Sequence, residues 1–288
     1  IIGVLISYIV KVIGSYLIYK FVPRFTLEKI IQQWSFSKWM LLKSLVGYIK
    51  SEFDTLFVTK LFSIQDVGGF NMMKNISTIP AREIIQPLTE PLLATFSQVK
   101  KEQEKFVFQI QTSLAILFLI TSPIFSFLFF YDELVIQTLF DEKWYKYSSI
   151  LGLLSFFILN FSVAAIFQQA LISLSKVRFL FYYDLITFFI ILIGLIVFFN
   201  GSLDEFAQIR VMYAMSTLVI LVIMVWFVIN FSLINILFLL SPIILANALA
   251  VIASKFVLLY FSEFTSLIFA HFFITGFLFV VVYLVGLV

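Results

Sequence analysis

The run VMYAMSTLVILVIMVWFVINF, Val211 to Phe231, carries no charged side chain. It is long enough to cross a bilayer as one helix, since a hydrocarbon core of about 30 Å takes roughly 20 residues. IFAHFFITGFLFVVVYLVGLV, Ile268 to Val288, repeats the pattern with His271 as its only basic residue. A surface helix of a soluble domain keeps one polar face, and these runs are oily all round. A membrane β-barrel shows alternating segments of about ten residues, whereas these are continuous. Across the chain 62% of residues are hydrophobic and 12% charged, about half the charge that a water-exposed surface carries. Lipid is therefore the solvent for most of the outer surface, and the fold class is an all-α polytopic membrane protein.

Nine membrane helices are expected, over about 1–22, 37–61, 67–97, 106–131, 147–174, 178–200, 206–231, 233–260 and 264–288. The connections alternate in charge. One set carries Lys20, Arg24, Lys29 and Lys38, then Lys100, Lys101 and Lys105, then Lys176 and Arg178. The other carries Asp66, then Asp132, Glu133, Asp141 and Glu142, then Asp204, Glu205 and Glu263, with few basic residues (Lys60, Lys143, Lys146 and Arg210). Lys and Arg concentrate on the cytoplasmic side, so the first set is read as cytoplasmic, with a cytoplasmic C-terminus. Trp34, Trp39, Trp144 and Tyr145 fall near expected interfaces, where amphipathic rings settle. The connections are short, the longest running from about Tyr131 to Tyr147.

There is no cysteine, which excludes disulfides and thiolate metal sites, and one histidine does not make a histidine-rich metal centre. No cofactor is expected. No basic stripe is long enough to follow a phosphate backbone, so nucleic acid is not an expected partner. The sequence begins with Ile1, inside an apolar segment, and is read as the C-terminal part of a longer protein.

The second and third segments differ from the rest. Lys43, Gly47, Lys50 and Asp54 are spaced four, three and four, which puts them on one helix face. The spacing allows Lys50 and Asp54 to pair, either as a bridge that only aids packing or as part of a cavity wall. Glu52 points the other way. The third segment holds Pro80, Pro87 and Pro91 with Lys74, Arg82, Glu83, Gln86 and Glu90. At helical spacing Arg82, Glu83, Gln86 and Glu90 share a sector of roughly 100°. Interior prolines free carbonyls that need another partner, so this helix is expected to face a wet cavity. Lys43, Lys50, Lys74 and Arg82 suit an anion such as a pyrophosphate. Asp54, Glu83, Gln86 and Glu90 suit a coupling ion or the cavity wall. Lys11, Lys255, His271 and Asp184 are weaker candidates, read first as packing or interfacial groups. No phosphate loop, Ser/His/Asp set or helical zinc motif is present, which disfavours an enzyme.

The stretch Tyr48-Ile-Lys-Ser-Glu-Phe-Asp54-Thr-Leu-Phe-Val-Thr-Lys60-Leu-Phe resembles the first helix of the second lobe in the polysaccharide-exporter (Wzx-type) flippases of the MOP superfamily. Lys50 and Asp54 match that family's basic and acidic positions. Asp66-Val-Gly-Gly-Phe-Asn71 resembles its next turn, with Phe70 for the usual Tyr. Leu139-Phe-Asp-Glu-Lys-Trp144 resembles its Gly-Glu-Lys-Trp loop, with Asp141 for Gly. Gln169-Ala-Leu-Ile-Ser-Leu-Ser-Lys-Val-Arg178 resembles a helix end before a basic turn.

The resemblance implies two six-helix lobes around a cavity. Residues 1–36 would be the last helix of the first lobe and a cytoplasmic loop, 37–231 the second lobe, and 232–288 two additional helices. It also implies alternating access in a bacterial cytoplasmic membrane, with a lipid-linked (undecaprenyl pyrophosphate) oligosaccharide as substrate. Membrane lipids and polysaccharide polymerase machinery would be its partners. The alternatives are a cation-coupled multidrug or small-molecule exporter of the same superfamily and a membrane-embedded glycan polymerase or ligase.

Overall fold

A computed structural model describes residues 2–18, 30–261 and 267–287. Lys20, Arg24, Lys29 and Glu263 lie outside the described residues. The helices are α1 (Ile2–Ile18), α2 (Ile30–Leu61), α3 (Ile64–Pro80), α4 (Gln86–Thr89), α5 (Leu92–Val99), α6 (Gln103–Phe130), α7 (Asp132–Leu139), α8 (Ser148–Leu154), α9 (Phe156–Ser173), α10 (Val177–Phe198), α11 (Leu203–Ile229), α12 (Leu233–Phe261) and α13 (Ile268–Gly286). A π turn, Ala81–Ile85, joins α3 to α4, and a 3-10 turn, Glu142–Tyr147, precedes α8. Contacts divide the chain into Ile1–Lys38 and Trp39–Val288. In the first unit, α1 is a mostly exposed apolar helix with Lys11 over the Tyr8 ring. All that follows concerns the second unit.

Each of the nine expected segments contains helix, and the chain is an all-α polytopic membrane protein. Six described stretches are long and apolar enough to span on their own: Gln103–Phe130, Glu142–Ser173, Val177–Phe198, Leu203–Ile229, Leu233–Tyr260 and Ile268–Gly286. Side chains such as Ile196, Phe227 and Phe277 are 74–83% exposed on them, as a lipid-facing surface requires. Charges keep α2 out of that group, and α3, at 17 residues, is short and rich in polar side chains.

Helix ends follow local chemistry. Ser202 caps α11 by accepting from the Glu205 N–H at 3.2 Å, and the Glu205 carboxylate accepts from the Ser202 N–H at 3.3 Å. That reciprocal pair satisfies two otherwise orphaned donors. Ser63 caps α3, accepting from the Asp66 N–H. At the end of α9, Ser175 takes a left-handed φ of 59°. This lets the Lys176 N–H reach the Leu171 carbonyl at 2.8 Å and the Ser175 N–H reach that of Ile172 at 2.9 Å, a Schellman closure.

The prolines act differently from one another. Pro123 and Pro242 sit inside unbroken α6 and α12. Pro80 ends α3 and is followed by the π turn, where the Gln86 N–H bonds the Ala81 carbonyl five residues back. Pro87 lies in the first turn of α4 and Pro91 caps α5, where a missing N–H costs little. The third segment therefore keeps helical backbone through Pro80, the π turn and Pro91, with its hydrogen-bond ladder changed at those points. The expected connection from Tyr131 to Tyr147 is also corrected: it holds α7 and the 3-10 turn, because Val135, Ile136 and Thr138 bury one face of that stretch.

Three apolar clusters hold the bundle. One, around Phe96, Phe106, Phe167 and Leu221, joins α5, α6, α9 and α11. A second, around Phe70, Tyr147, Leu151 and Phe206, joins α3, α8 and α11, with Phe57 of α2 stacked on Phe206 at 5.0 Å. Gly69 is required there, since a Cβ would lie 2.4 Å from the Tyr147 ring. The third seats α12 and α13 against α6 and α7 through Ala246, Ala250, Phe279 and Tyr131.

Candidate functional site

Between the first two clusters the bundle keeps a polar cavity of about 400 Å³. Lys43, Gly47, Lys50 and Asp54 of α2 line it together, on the face that their spacing predicts. Lys74 and Thr78 of α3, Asn160 and Gln168 of α9, Asp184 of α10 and Arg210 of α11 complete its polar wall.

The charges sort into two sets around two buried carboxylates. Asp184, 8% exposed, accepts from Lys50 Nζ at 2.9 Å and has Lys43 Nζ at 3.9 Å. Lys50 also donates to Thr187 Oγ1 at 2.8 Å and lies 5.4 Å from the Tyr183 ring centre. Asp54, 2% exposed, has Arg210 Nε at 2.8 Å and Lys74 Nζ at 3.7 Å. The Arg210–Asp54 contact is off the N–H axis. It is an ion pair without a directed hydrogen bond, and both atoms keep unfilled bonding capacity. The Arg210 guanidinium also lies 4.7 Å from the Tyr213 ring and 5.4 Å from that of Phe157, contacts that hold a desolvated cation. Lys74 donates to the Ser51 carbonyl at 3.3 Å.

Four cations thus face two carboxylates. Charges buried at this depth are tolerable only when paired, and here the pairing leaves two positive charges over. A site with surplus cations, hydroxyls and amides can hold a multiply charged anion in place of its own carboxylates.

The expected pairing of Lys50 with Asp54 is corrected. Each finds its partner on a facing helix, where a desolvated contact outweighs a one-turn pair along α2. Asp184, a weaker candidate read first as a structural group near the cytoplasmic end of its helix, is the hub for Lys43 and Lys50. Arg210 was read as part of a connection, but α11 begins at Leu203, so Arg210 stands two turns inside it. Sequence offered one signal for it: Arg210, Tyr213, Ala214 and Thr217 fall at helical spacing, and all four line the cavity.

Arg82, Glu83, Gln86 and Glu90 are all exposed, and none of them lines the cationic cavity. Gln86 donates to Glu90 at 3.0 Å, and both line a second pocket of about 360 Å³ beside the first. Lys255 lies over the Phe130 ring at 4.9 Å, and His271 keeps a buried Nε2 without a hydrogen-bond partner among the described residues.

A multi-pass helical bundle around an internal cavity with more cations than carboxylates defines the class as a polytopic membrane protein with a charged interior. Residues 1–149, just over half of the chain, match the family described as "Polysaccharide biosynthesis protein", and the chain belongs to that family. It is similar to "Lipopolysaccharide biosynthesis protein WzxC" of Escherichia coli (strain K12), with 22% identity over 130 residues, 45% of this chain and 26% of that protein. It is also similar to an "Uncharacterized membrane protein in cps region" of Klebsiella pneumoniae, with 26% identity over 121 residues, 42% of this chain and 25% of that protein. The matched stretch spans about a quarter of the length of these curated relatives. No solved structure matches. The resemblance to Wzx-type polysaccharide exporters read from the sequence is borne out. All eight expected site residues fall within the family match, whereas Asp184 and Arg210 lie beyond it.

Proposed function

We propose that the full protein moves an undecaprenyl-pyrophosphate-linked oligosaccharide from the cytoplasmic to the outer leaflet of a bacterial cytoplasmic membrane. The observation that carries this reading is the cavity in which Lys43, Lys50, Lys74 and Arg210 outnumber Asp54 and Asp184. A pyrophosphate entering there would take over the cations now held by the two carboxylates. It would bridge α2, α3 and α11, the helices that bear Lys50, Lys74 and Arg210. Such a bridge couples substrate to helix position, which alternating access needs. Transport rather than catalysis fits a cavity with cations and hydroxyls but no nucleophile placed beside a base. The charge of the connections supports a cytoplasmic C-terminus; moving Arg210 into the cavity leaves the acidic set poorer still in basic residues.

Lys50→Ala and Lys74→Ala, introduced into the full-length protein, are expected to abolish surface glycan export while membrane insertion continues. Arg82→Ala, outside the cavity, is expected to reduce export less. Full export by both lysine variants would sink the anion site.

A further inference from the structure

The second pocket shares Phe161, Ala164 and Gln168 with the cationic cavity, so the two are neighbouring chambers with a common wall. Their chemistry differs sharply. The first is ringed by cations. The second presents Gln86, Glu90, Gln168 and Gln169, three neutral amides and one carboxylate, over a floor of alanines. Gln86 and Glu90 are already bonded to each other, which fixes their orientation. Among the described residues the Gln168 and Gln169 amides have no hydrogen-bond partner. Each offers two donors and an acceptor. Phe161, 38% exposed, stands at the common wall.

Amides that both donate and accept, one carboxylate and an accessible aromatic ring complement a polyhydroxylated ring. Its hydroxyls need mixed donors and acceptors, and its C–H face lies well on an aromatic surface. An anion would gain nothing from Glu90, and a hydrocarbon chain would leave the Gln168 and Gln169 amides unmet. We infer that this pocket binds the sugar nearest the pyrophosphate, with Gln168 and Gln169 as its main hydrogen-bonding groups and Phe161 as its platform. This rests on the flippase reading above and adds to it a division of labour between chambers. The cationic cavity binds what every lipid-linked glycan shares, and the amide pocket reads what differs between them.

The test uses the full-length protein in nanodiscs and two probes, undecaprenyl pyrophosphate and the glycan-bearing lipid fraction of the source cells. Wild type is expected to bind the glycan-bearing lipid more tightly than the bare one. Gln169→Ala, at a residue that lines the second pocket and not the cationic cavity, should weaken the glycan-bearing lipid about tenfold, toward the level of the bare one, and leave bare-lipid affinity unchanged. That unchanged affinity also reports an intact fold. Gln169→Leu, which keeps the volume and removes the amide, gives the same contrast if the alanine variant is not recovered. Lys50→Ala should weaken both lipids. Equal affinity of wild type for the two probes, or amide variants that shift both equally or neither, overturns the sugar pocket while the pyrophosphate site stands. Failure of wild type to bind either probe overturns the flippase reading itself, and the sugar pocket with it.

Discussion

The α2–α3 and α12–α13 hairpins lie in one bundle but are held by opposite means. α2 is fastened by charges that reach across to α10 and α11, through Lys50 to Asp184 and Asp54 to Arg210, and Lys74 ties α3 to Asp54. α12 and α13 are fastened chiefly by shape, with neutral hydrogen bonds from Asn247 to Ser122 and from Tyr283 to the Leu119 carbonyl and no ion pair among the described residues. Ala246 and Ala250 are fully buried, and a Cβ on Gly286 would come within 3.2 Å of the Ala246 Cβ. Lipid tails are as apolar as leucine, so membrane helices associate by close packing or by polar contact. The first hairpin uses polar contact and borders the cavity. The second uses packing and stands apart from it. Where function requires buried charge, stability has to come from pairing that charge.

The comparison breaks first at Asp54. Asp54→Ala strands Arg210 and is expected to cost about 3–5 kcal/mol, read by unfolding of the purified protein in detergent. Asp54→Leu combined with Arg210→Met should recover much of that loss while leaving transport dead. A smaller effect is expected in the shape-held hairpin: Ala250→Leu overfills the seam at a cost of about 1–3 kcal/mol and spares the cavity. A glycan-export assay that falls in proportion to this stability loss would remove the distinction.

Two carboxylates outside the apolar spans sharpen it by pH. Hydrogen bonds from Ser63 and Tyr147, with Lys146 nearby, hold the Asp66 carboxyl below its ordinary value of 3.8. Its stabilising contribution is therefore complete above about 3.8 and is lost as pH falls through the lowered value. Burial instead pushes Asp132 above 3.8, so the fold is penalised as pH rises through that raised value. Acid titration of stability should show Asp66→Asn flattening the acid loss, and Asp132→Asn stabilising the protein near neutrality. Least of all should come from Phe277→Ala on the lipid face of α13, 74% exposed, expected within about 0.5 kcal/mol.

Much of this was legible in the sequence. Apolar runs placed the helices, because lipid imposes a length and a composition on each. The four-three-four spacing of Lys43, Gly47, Lys50 and Asp54 exposed the polar face of α2. The partners were not legible. Asp184 and Arg210 each sit as a lone charge among oily neighbours, more than 130 residues from Lys50 and Asp54 respectively. Only the packing of α10 and α11 against α2 brings them together. The π turn was hidden because a proline announces a disturbance without saying how the backbone absorbs it. α7 was hidden because a stretch of eight residues, Asp132–Leu139, is too short for periodicity to stand out.

The 134 residues between Lys50 and Asp184 are also an interval of time. At about 5–20 residues per second, α2 emerges on the order of ten seconds before the carboxylate that accepts its lysine. Through that interval α2 and α3, the two helices least suited to lipid, have only the Asp54–Lys74 pair between them and lack Asp184 and Arg210. Their entry into the bilayer must wait, at the translocation channel or at the lipid–water boundary, for the C-terminal half of the chain. A ribosome stalled before Asp184 should therefore leave α2 accessible to aqueous reagents, whereas one stalled past Arg210 should not.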